Sequence, residues 1–285
     1  MAIDINRLST GVDLSPVTSR EIWANAQEAS AVMSLATKIT LPGNGLSVPM
    51  ITGDAQAQWV DETDEKPVSR PTFDNKTMTA HKLAVIVPMS NEFKRDASAL
   101  YNEIVRRLPA ALGERLDATV LAGATGPSGI DTLHDAQSVD LTADVYAGLV
   151  EADAAVGASS GVINGWAMAP QGRSLLLGAV DGNNRPLFLN DASQGNVATL
   201  LGAPVRQSRK VFVDGEERQV GLAGDWTQAY YGTVEGIRVD ASEHATLTDG
   251  GDTINLWQRN MFAVRAEVEV GFVLRNKDAF VRLLG

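Results

Sequence analysis

The pentapeptide Gly157-Ala158-Ser159-Ser160-Gly161 matches the G-x-S-x-G pattern that surrounds the nucleophilic serine of many hydrolases. In those enzymes the serine lies on a sharp turn between a strand and the helix that follows it. Here a helical pattern precedes the motif and a strand-like run follows it. The order therefore favours an ordinary helix-to-strand turn, and a soluble hydrolase that uses Ser159 is the distant alternative.

The glycine-rich run at residues 123–129 has the composition of a phosphate-binding loop. A phosphate loop opens a helix, so that backbone N–H groups and the positive end of the helix dipole face the anion. This run follows a helical pattern instead, and it lacks the P-loop lysine. It is predicted to end a helix.

Three histidines and one acidic cluster complete the candidates for chemistry. His81, His134 and His244 are far apart in sequence and show no metal-ligand spacing. The acidic residues at 61–65 could bind calcium, but the EF-hand spacing and glycine are missing, so a solvated or ion-paired loop tip is the simpler interpretation. We predict no catalytic residue, no cofactor and no metal site, and hence no enzyme.

Composition narrows the class of protein. With 285 residues and 44% apolar content, the chain can form a large core in one or two domains. It has no cysteine, which excludes disulfides and cysteine zinc sites and fits a reducing cytoplasm. The net charge of −11 argues against a protein that grips nucleic acid with a basic face. No signal peptide or membrane span is predicted, so no membrane partner is expected.

The longest amphipathic pattern, at residues 96–122, predicts the helix on which the rest of the chain is organised. Asp96 is expected to cap its first turn and Gly123 to end it. Charged residues, Asp117 among them, occupy most of the side opposite the apolar stripe. Pro109 should kink the helix, which at ~1.5 Å per residue would be roughly 40 Å long.

A second long pattern, at residues 262–274, has an apolar residue at every second position and predicts a strand with one face toward a core. The apolar stripe of the long helix is the natural cover for that face. Helices and strands alternate between the two patterns, with a hairpin turn predicted at Asp214-Gly215, and indicate an inserted α/β unit of about a hundred residues.

Residues 40–78 are rich in turns and charges and poor in apolar residues. Two strand-like arms of about twenty residues, at ~3.3 Å each, could reach some 60 Å from the body. An isolated hairpin of this kind is marginally stable in water, and a structureless loop of this length in a compact domain is unusual. We therefore expect this hairpin to lie on another copy of the protein, the alternative being a mobile surface loop.

The order of several short motifs is more specific than any one of them. They are AQWVDE at 57–62, KLAVIVPMSNE at 82–92, GPSGI at 126–130, WAMAP at 166–170, LLGAPV at 200–205, GDW at 224–226 and AFV at 279–281. Together with the long helix they resemble the major capsid proteins of tailed bacteriophages, which have the HK97-like fold. The resemblance covers nearly the whole chain.

This resemblance implies an α+β HK97-like capsid fold with a spine helix, an extended β-hairpin loop, a peripheral domain and an inserted axial α/β domain. The expected boundaries are an N-terminal arm and short helix at 1–39, the extended loop at 40–80, the peripheral domain at 81–136 and 250–285 with its spine helix at 96–122, and the axial domain at 137–249.

The resemblance also implies self-assembly as pentamers and hexamers into an icosahedral shell around double-stranded DNA. The shell would belong to the virion capsid and be assembled in the bacterial host cytoplasm. Its implied partners are a portal, separate scaffolding or decoration proteins, and DNA held by weak non-specific contacts; the arm begins close to Met1, so any scaffold is expected to be a separate protein. The alternative is an encapsulin-type nanocompartment, which shares the fold and stores protein cargo.

We predict a subunit interface from charged and aromatic residues of the loop, the helix and the long strand. They are Trp59, Asp61, Glu62, Arg70, Arg106, Arg107, Glu267 and Glu269. Some relatives also join their subunits by a lysine–asparagine isopeptide bond. Lys66 and Lys76 lie on the loop and Asn276 near the chain end, but no local motif fixes an equivalence, and no such bond is assigned.

Overall fold

The computed structural model describes residues 26, 30–53, 55, 57–61, 65–96, 98–188, 199–249 and 251–285. Within these residues the helices are α1 (Ala31–Leu35), α2 (Asn91–Asp96), α3 (Ser98–Ala122), α4 (Val145–Ala158) and α5 (Pro170–Gly178). Short 3₁₀ turns cover Arg209–Val211 and Trp226–Gln228.

The described strands are named in chain order. They are β1 (Thr37–Thr40), β2 (Leu46–Gly53), β3 (Thr72–Met78), β4 (His81–Ser90), β5 (Gln137–Asp140), β6 (Gly165–Met168), β7 (Thr199–Leu200), β8 (Ala203–Gln207), β9 (Gln219–Gly224), β10 (Ala229–Thr233), β11 (Arg238–Ser242), β12 (Thr246–Asp249), β13 (Asp252–Asn255), β14 (Met261–Leu274) and β15 (Phe280–Leu284).

The spine helix α3 agrees with the sequence pattern except at its start. It begins at Ser98, and Asp96 is the last residue of the preceding helix α2. A capping residue needs a non-helical backbone, so the predicted cap at Asp96 is wrong. The helix continues through Pro109 and ends before Gly123, whose φ of 65° is the left-handed conformation expected of a C′ glycine.

The first sheet is built around β14. This strand pairs with β4 along one edge, from Met261 opposite Ser90 to Val270 opposite His81. Along its other edge it pairs first with β11 and then with β10, and β1 extends the sheet as a parallel partner of β10.

The apolar face of β14 lies against the spine helix, as the sequence predicts. Leu108 and Leu112 of α3 pack in one buried cluster with Phe262 and Val264 of the strand. Farther along, Leu116 and Val120 share a second cluster with Val270 and Phe272. This contact buries the long stripe of the helix against the long stripe of the strand.

The second sheet has the strand order β5-β15-β9-β6-β8-β7. Helices α4 and α5 cover one of its faces, where Leu149 and Leu176 pack with Trp166. The opposite face, which includes Leu222 and Phe280, packs toward the spine helix. The helix is therefore the shared support of both sheets.

Strand pairing divides the chain differently from the predicted domain boundaries. Strands β10 and β11, which the sequence places in the inserted unit, pair with β14 in the first sheet. Strand β15, predicted to belong with the long strand, pairs with β5 and β9 in the second sheet. The turn predicted at Asp214-Gly215 is present, closed by an antiparallel bridge between Val213 and Gln219, but the strands predicted on its two sides do not form a hairpin, because β8 pairs with β6 and β7. A period-two pattern shows which face of a strand is apolar but not which strand lies beside it.

The base of the extended hairpin packs on two glycines that lie opposite each other in neighbouring strands. Gly232 of β10 and Gly271 of β14 lie opposite each other, and the buried side chain of Met78 lies over both. A Cβ atom at Gly271 would be 2.7 Å from Met78 Cγ and 2.5 Å from the carbonyl oxygen of Thr79. Glycine is needed here because a side chain would push the root of the hairpin off the sheet.

Candidate assembly surfaces

Beyond its root, the extended loop presents apolar side chains to solvent. Strands β2 and β3 form an antiparallel ladder from Leu46 opposite Met78 to Gly53 opposite Thr72. Trp59 is fully exposed, and Val68 and Phe73 are 83% and 68% exposed. Large exposed apolar side chains grouped on one extended element are typical of a protein–protein contact.

The root of the loop is fixed to the body by a polar contact. Lys76 Nζ lies 2.5 Å from Asp131 Oδ2 and donates to the carbonyl oxygen of Leu274 at 3.3 Å. The same carboxylate oxygen accepts a hydrogen bond of 2.7 Å from the backbone N–H of Leu274. Lys76 is thus held within its own subunit, whereas Lys66 is exposed farther along the loop.

The structure places the predicted interface residues in three separate groups. On the loop, Trp59, Asp61 and Arg70 are exposed, and Glu62 lies outside the described residues. The second group is on the spine helix and the third is on the outer face of β14.

On the spine helix, Arg106 and Arg107 both bind Glu103. Arg106 donates to the two carboxylate oxygens at 3.0 and 2.9 Å, and Arg107 Nε donates at 2.7 Å. The hydrogen bonds from Arg106 and then Arg107 lower the pKa of Glu103 to about 2. All three side chains face solvent, so this group is an ordered, net positive patch.

On the outer face of the first sheet, Glu267 and Glu269 lie among basic side chains from neighbouring strands. Glu269 pairs with Lys82 of β4 at 3.2 Å. Arg265 lies 3.6 Å from Glu267 and donates to Asp240 of β11 at 3.0 Å, and this hydrogen bond raises the pKa of Arg265. The sequence prediction did not include Lys82, Arg265 or Asp240. Arg265 lies two residues before Glu267 on the same strand, whereas Lys82 and Asp240 are brought into this group by the register of β4 and β11 with β14.

This outer face contains a shallow cavity of about 170 Å³. Its lining includes Lys82, Glu235, Arg238, Glu267 and Glu269, and is therefore charged with both signs. Such a surface can hold an extended polar segment through charge pairs and hydrogen bonds.

The motifs with possible catalytic meaning have structural roles. Ser159 follows the last residue of α4, and its Oγ donates to the carbonyl oxygen of Val156 at 2.8 Å. The next strand, β6, begins only at Gly165, so the helix-turn-strand order is as predicted and a nucleophile elbow is not formed. The glycine-rich run at 123–129 likewise follows α3.

Asp117 is the charged residue that the helical pattern misplaced. It is predicted on the solvated side of the spine helix, but it is completely buried. Its carboxylate accepts hydrogen bonds from Ser30 Oγ at 2.6 Å, Ser208 Oγ at 2.8 Å, and the backbone N–H groups of Ala31 and Val32 at 2.8 and 3.1 Å. Burial raises the pKa of Asp117, and these hydrogen bonds oppose the shift.

The described residues show neither a cluster of three or more histidine, aspartate or glutamate side chains that could hold a metal ion, nor a helix long and apolar enough to cross a membrane. The surfaces that the fold displays most prominently are the extended loop and the charged sheet face, both suited to contacts between proteins.

Comparison with known proteins identifies the family. The model of the phage capsid family matches residues 10–284. The chain belongs to this family. It is 31% identical to the probable major capsid protein gp17 of Mycobacterium phage L5, over 95% of this chain and 88% of the relative. It is also 26% identical to the major capsid protein of Staphylococcus phage 80alpha, over 92% of this chain and 82% of the relative.

Solved structures of capsids share the fold. A chain from Gordonia phage Cozz superposes with a TM-score of 0.74 at 24% identity, covering 90% of this chain and 86% of that one. A chain from the capsid of an empty GTA particle gives a TM-score of 0.65 at 15% identity, covering 90% and 89%. This phage capsid protein therefore has the HK97-like fold and is the major capsid protein that forms the shell of a tailed phage. The matches give no support to the nanocompartment alternative.

Proposed function

We propose that this capsid protein assembles as pentamers and hexamers into a closed icosahedral shell around double-stranded DNA. In this proposal the extended loop of each subunit lies on the charged outer face of the first sheet of its neighbour. The spine helix and first sheet act as the peripheral domain, and the second sheet with α4 and α5 acts as the axial domain. The protein acts as a structural component without catalytic activity.

The exposure of Trp59 carries this proposal. The described apolar contacts of the loop are confined to its root, where Leu41 and Met78 pack with Val273. Trp59, Val68 and Phe73 extend beyond that cover. Burial of a tryptophan at a contact is among the largest contributions a single residue makes to association. A second subunit supplies the missing cover, and repetition of one such contact around an axis closes a ring.

Charge on the two surfaces supports the same pairing. The loop carries Asp61 and Glu65 together with Lys66 and Arg70, all exposed. The charged sheet face offers Lys82, Arg238 and Arg265 to the acidic residues, and Glu235, Glu267 and Glu269 to the basic ones. Mixed charges of this kind fix the register of a contact more than they add to its affinity.

The net charge of −11 supports a shell that binds its packaged DNA weakly and can release it. Each phosphate that a protein neutralises adds to the salt dependence of DNA binding and to the work of releasing the DNA. We infer weak, non-specific contacts with packaged DNA. The remaining inferred partners are a portal and separate scaffolding or decoration proteins, and assembly takes place in the bacterial host cytoplasm before the shell becomes part of the virion.

Electron microscopy of the full chain expressed in a bacterium tests the proposal. We expect closed shells made of five-fold and six-fold capsomers, and a map in which Trp59 contacts a neighbouring subunit. Double-stranded DNA is expected inside particles from infected cells. Particles filled with protein cargo, or a chain that stays monomeric at every concentration and in infected cells, would contradict the proposal.

A further inference from the structure

The sequence contains two Asn-Gly pairs, Asn44-Gly45 and Asn164-Gly165. In such a pair the backbone nitrogen of the glycine can attack the amide carbon of the asparagine side chain, because glycine has no Cβ atom to hinder the approach. The reaction needs an asparagine side chain that can turn toward its own backbone, and space for a five-membered ring. The fold provides these conditions at one pair and removes them at the other.

Asn164 is held by hydrogen bonds on both sides of its amide group. Its Nδ2 donates to Asp225 Oδ1 at 2.8 Å, and its Oδ1 accepts from the backbone N–H of Trp226 at 2.8 Å. The neighbouring Gly165 is buried in β6, where a Cβ atom would be 2.8 Å from side-chain atoms of Leu35 and Trp226. Rotation of the Asn164 amide would break both hydrogen bonds, and the close packing at Gly165 leaves little room for a ring.

Asn44 has neither restraint. It is exposed in the turn at residues 42–45, which leads into β2, and its side chain makes no hydrogen bond within the part of the chain that the structure describes. A Cβ atom added at the preceding Gly43 would meet no atom within 4 Å. One backbone hydrogen bond closes the turn, from the N–H of Gly45 to the carbonyl oxygen of Pro42 at 2.9 Å. A surface turn closed by a single bond opens at low cost in free energy, and the Gly45 nitrogen can then react.

The same turn sets the base of the extended hairpin. Gly45 has a φ of 86°, and the next residue, Leu46, begins the ladder opposite Met78. The backbones of Gly45 and Met78 lie so close together that a Cβ atom at Gly45 would be 2.8 Å from the carbonyl oxygen of Met78. A change in the length of the main chain at Asn44 would therefore displace the first pair of the ladder, as an inserted residue does in a β-bulge.

We propose that Asn44 is a site of spontaneous covalent modification, and that this modification loosens the base of the extended hairpin. The Gly45 nitrogen loses its proton to a solvent base and attacks Cγ of Asn44, and ammonia leaves as the succinimide ring closes. Water then opens the ring at either carbonyl carbon, which gives aspartate or isoaspartate. Both products carry a new negative charge, and isoaspartate also inserts one methylene group into the main chain immediately before Gly45. The reaction needs only the folded subunit and is independent of the shell function.

Mass spectrometry of the stored full chain tests the modification. Native protein is held at mildly alkaline pH, which favours loss of the proton from the attacking nitrogen, and samples are digested at intervals. We expect the peptide that contains Asn44 to gain about 1 Da, because an amide NH₂ is replaced by OH, at a rate ~tenfold or more above that of the peptide that contains Asn164. In denaturant the two peptides should react at similar rates, because the fold no longer protects Asn164. Equal rates in the native chain, or a native Asn44 that stays unmodified while both residues react in denaturant, would overturn the proposal and leave the shell function intact.

Hydrogen exchange in β2 tests the loosening of the hairpin. Exchange should be several-fold faster in aged native protein than in fresh protein, because isoaspartate displaces the first pair of the ladder. Asn44→Gln keeps an amide that cyclises far more slowly, and ageing should leave its exchange unchanged. Freshly prepared Asn44→Asp carries the new charge without the added methylene group and should exchange like fresh wild-type protein. Exchange that does not change on ageing, in samples where isoaspartate is detected at Asn44, would overturn the proposed effect on the hairpin.

Discussion

Ser30 Oγ donates a hydrogen bond of 2.6 Å to Asp117 Oδ1, although 87 residues separate them in the chain. Ser30 also caps α1 by accepting from the backbone N–H of Met33. The other carboxylate oxygen of Asp117 accepts from Ser208, beside the second sheet. One buried carboxylate therefore joins the N-terminal segment, the spine helix and the second sheet.

Ser30→Ala should lower the free energy of unfolding of the unassembled subunit by about 1–3 kcal/mol, because it removes a cap and leaves one oxygen of a buried carboxylate with fewer donors. Denaturant unfolding measures the change. Ser34→Ala is the matched control, since Ser34 lies in the same helix and donates only to the carbonyl oxygen of Ala31. Equal effects of the two substitutions would show that the Asp117 contact contributes little.

Asp117→Asn should change how stability depends on pH. The pKa of Asp117 is raised in the folded subunit by burial. A raised carboxyl pKa gives a stabilising contribution that is complete below the unfolded value of ~3.9 and is lost as pH rises through the folded pKa. The wild-type subunit should therefore lose stability relative to Asp117→Asn as the pH rises above about 4. Denaturant unfolding at a series of pH values measures this difference; a difference that grows in favour of the wild type would contradict the raised pKa.

Gly271→Ala should displace the root of the extended hairpin. The added methyl group would lie within 3 Å of both Met78 and the Thr79 backbone, and backbone cannot move away as a flexible side chain can. We expect a loss of about 1–3 kcal/mol in unfolding free energy and faster hydrogen exchange in β2 and β3. Gly215→Ala is the control, because a Cβ there meets no atom within 4 Å. Unchanged exchange in the hairpin would refute this role of the glycine pair.

Trp59→Ala should leave the free energy of unfolding of the single subunit within ~0.5 kcal/mol, because its side chain is fully exposed there. Assembly should instead weaken by about 2 kcal/mol per contact or more, as for other buried aromatic residues at interfaces. Light scattering against protein concentration measures assembly. Gln58→Ala, also exposed on the loop, serves for comparison and should assemble normally. A tryptophan emission spectrum that is the same before and after assembly would count against burial of Trp59.

The ion pairs that Glu103 forms with Arg106 and Arg107 on the outer surface of the spine helix can be tested directly. In the wild-type subunit the Glu103 carboxyl should titrate near its pKa of about 2, because Arg106 and Arg107 both donate to it. Arg106→Gln with Arg107→Gln should return this midpoint toward the ordinary glutamate value of ~4.3. Carboxyl NMR of labelled subunits measures both. A midpoint that the double substitution leaves unchanged would mean that the arginines do not hold Glu103 in solution.

Local patterns in the sequence determined the principal elements of this capsid protein. The stripes of the spine helix and of β14 follow from spacing over a few residues, as do the helix end at Gly123 and the exposed loop. The two apolar stripes also indicated that the helix and the strand pack against each other, because a long apolar surface needs an equally long element to bury it. The order of motifs then indicated the family.

The tertiary structure decided which distant residues meet. It placed β10 and β11 beside β14, moved β15 into the second sheet, and seated Met78 over Gly232 and Gly271. It also buried Asp117, which carries the same charge as the solvated glutamates of its helix. Periodicity reports the side of an element on which a residue lies. The neighbour on that side is fixed by packing and hydrogen bonding between segments far apart in the chain, and no local pattern contains that information.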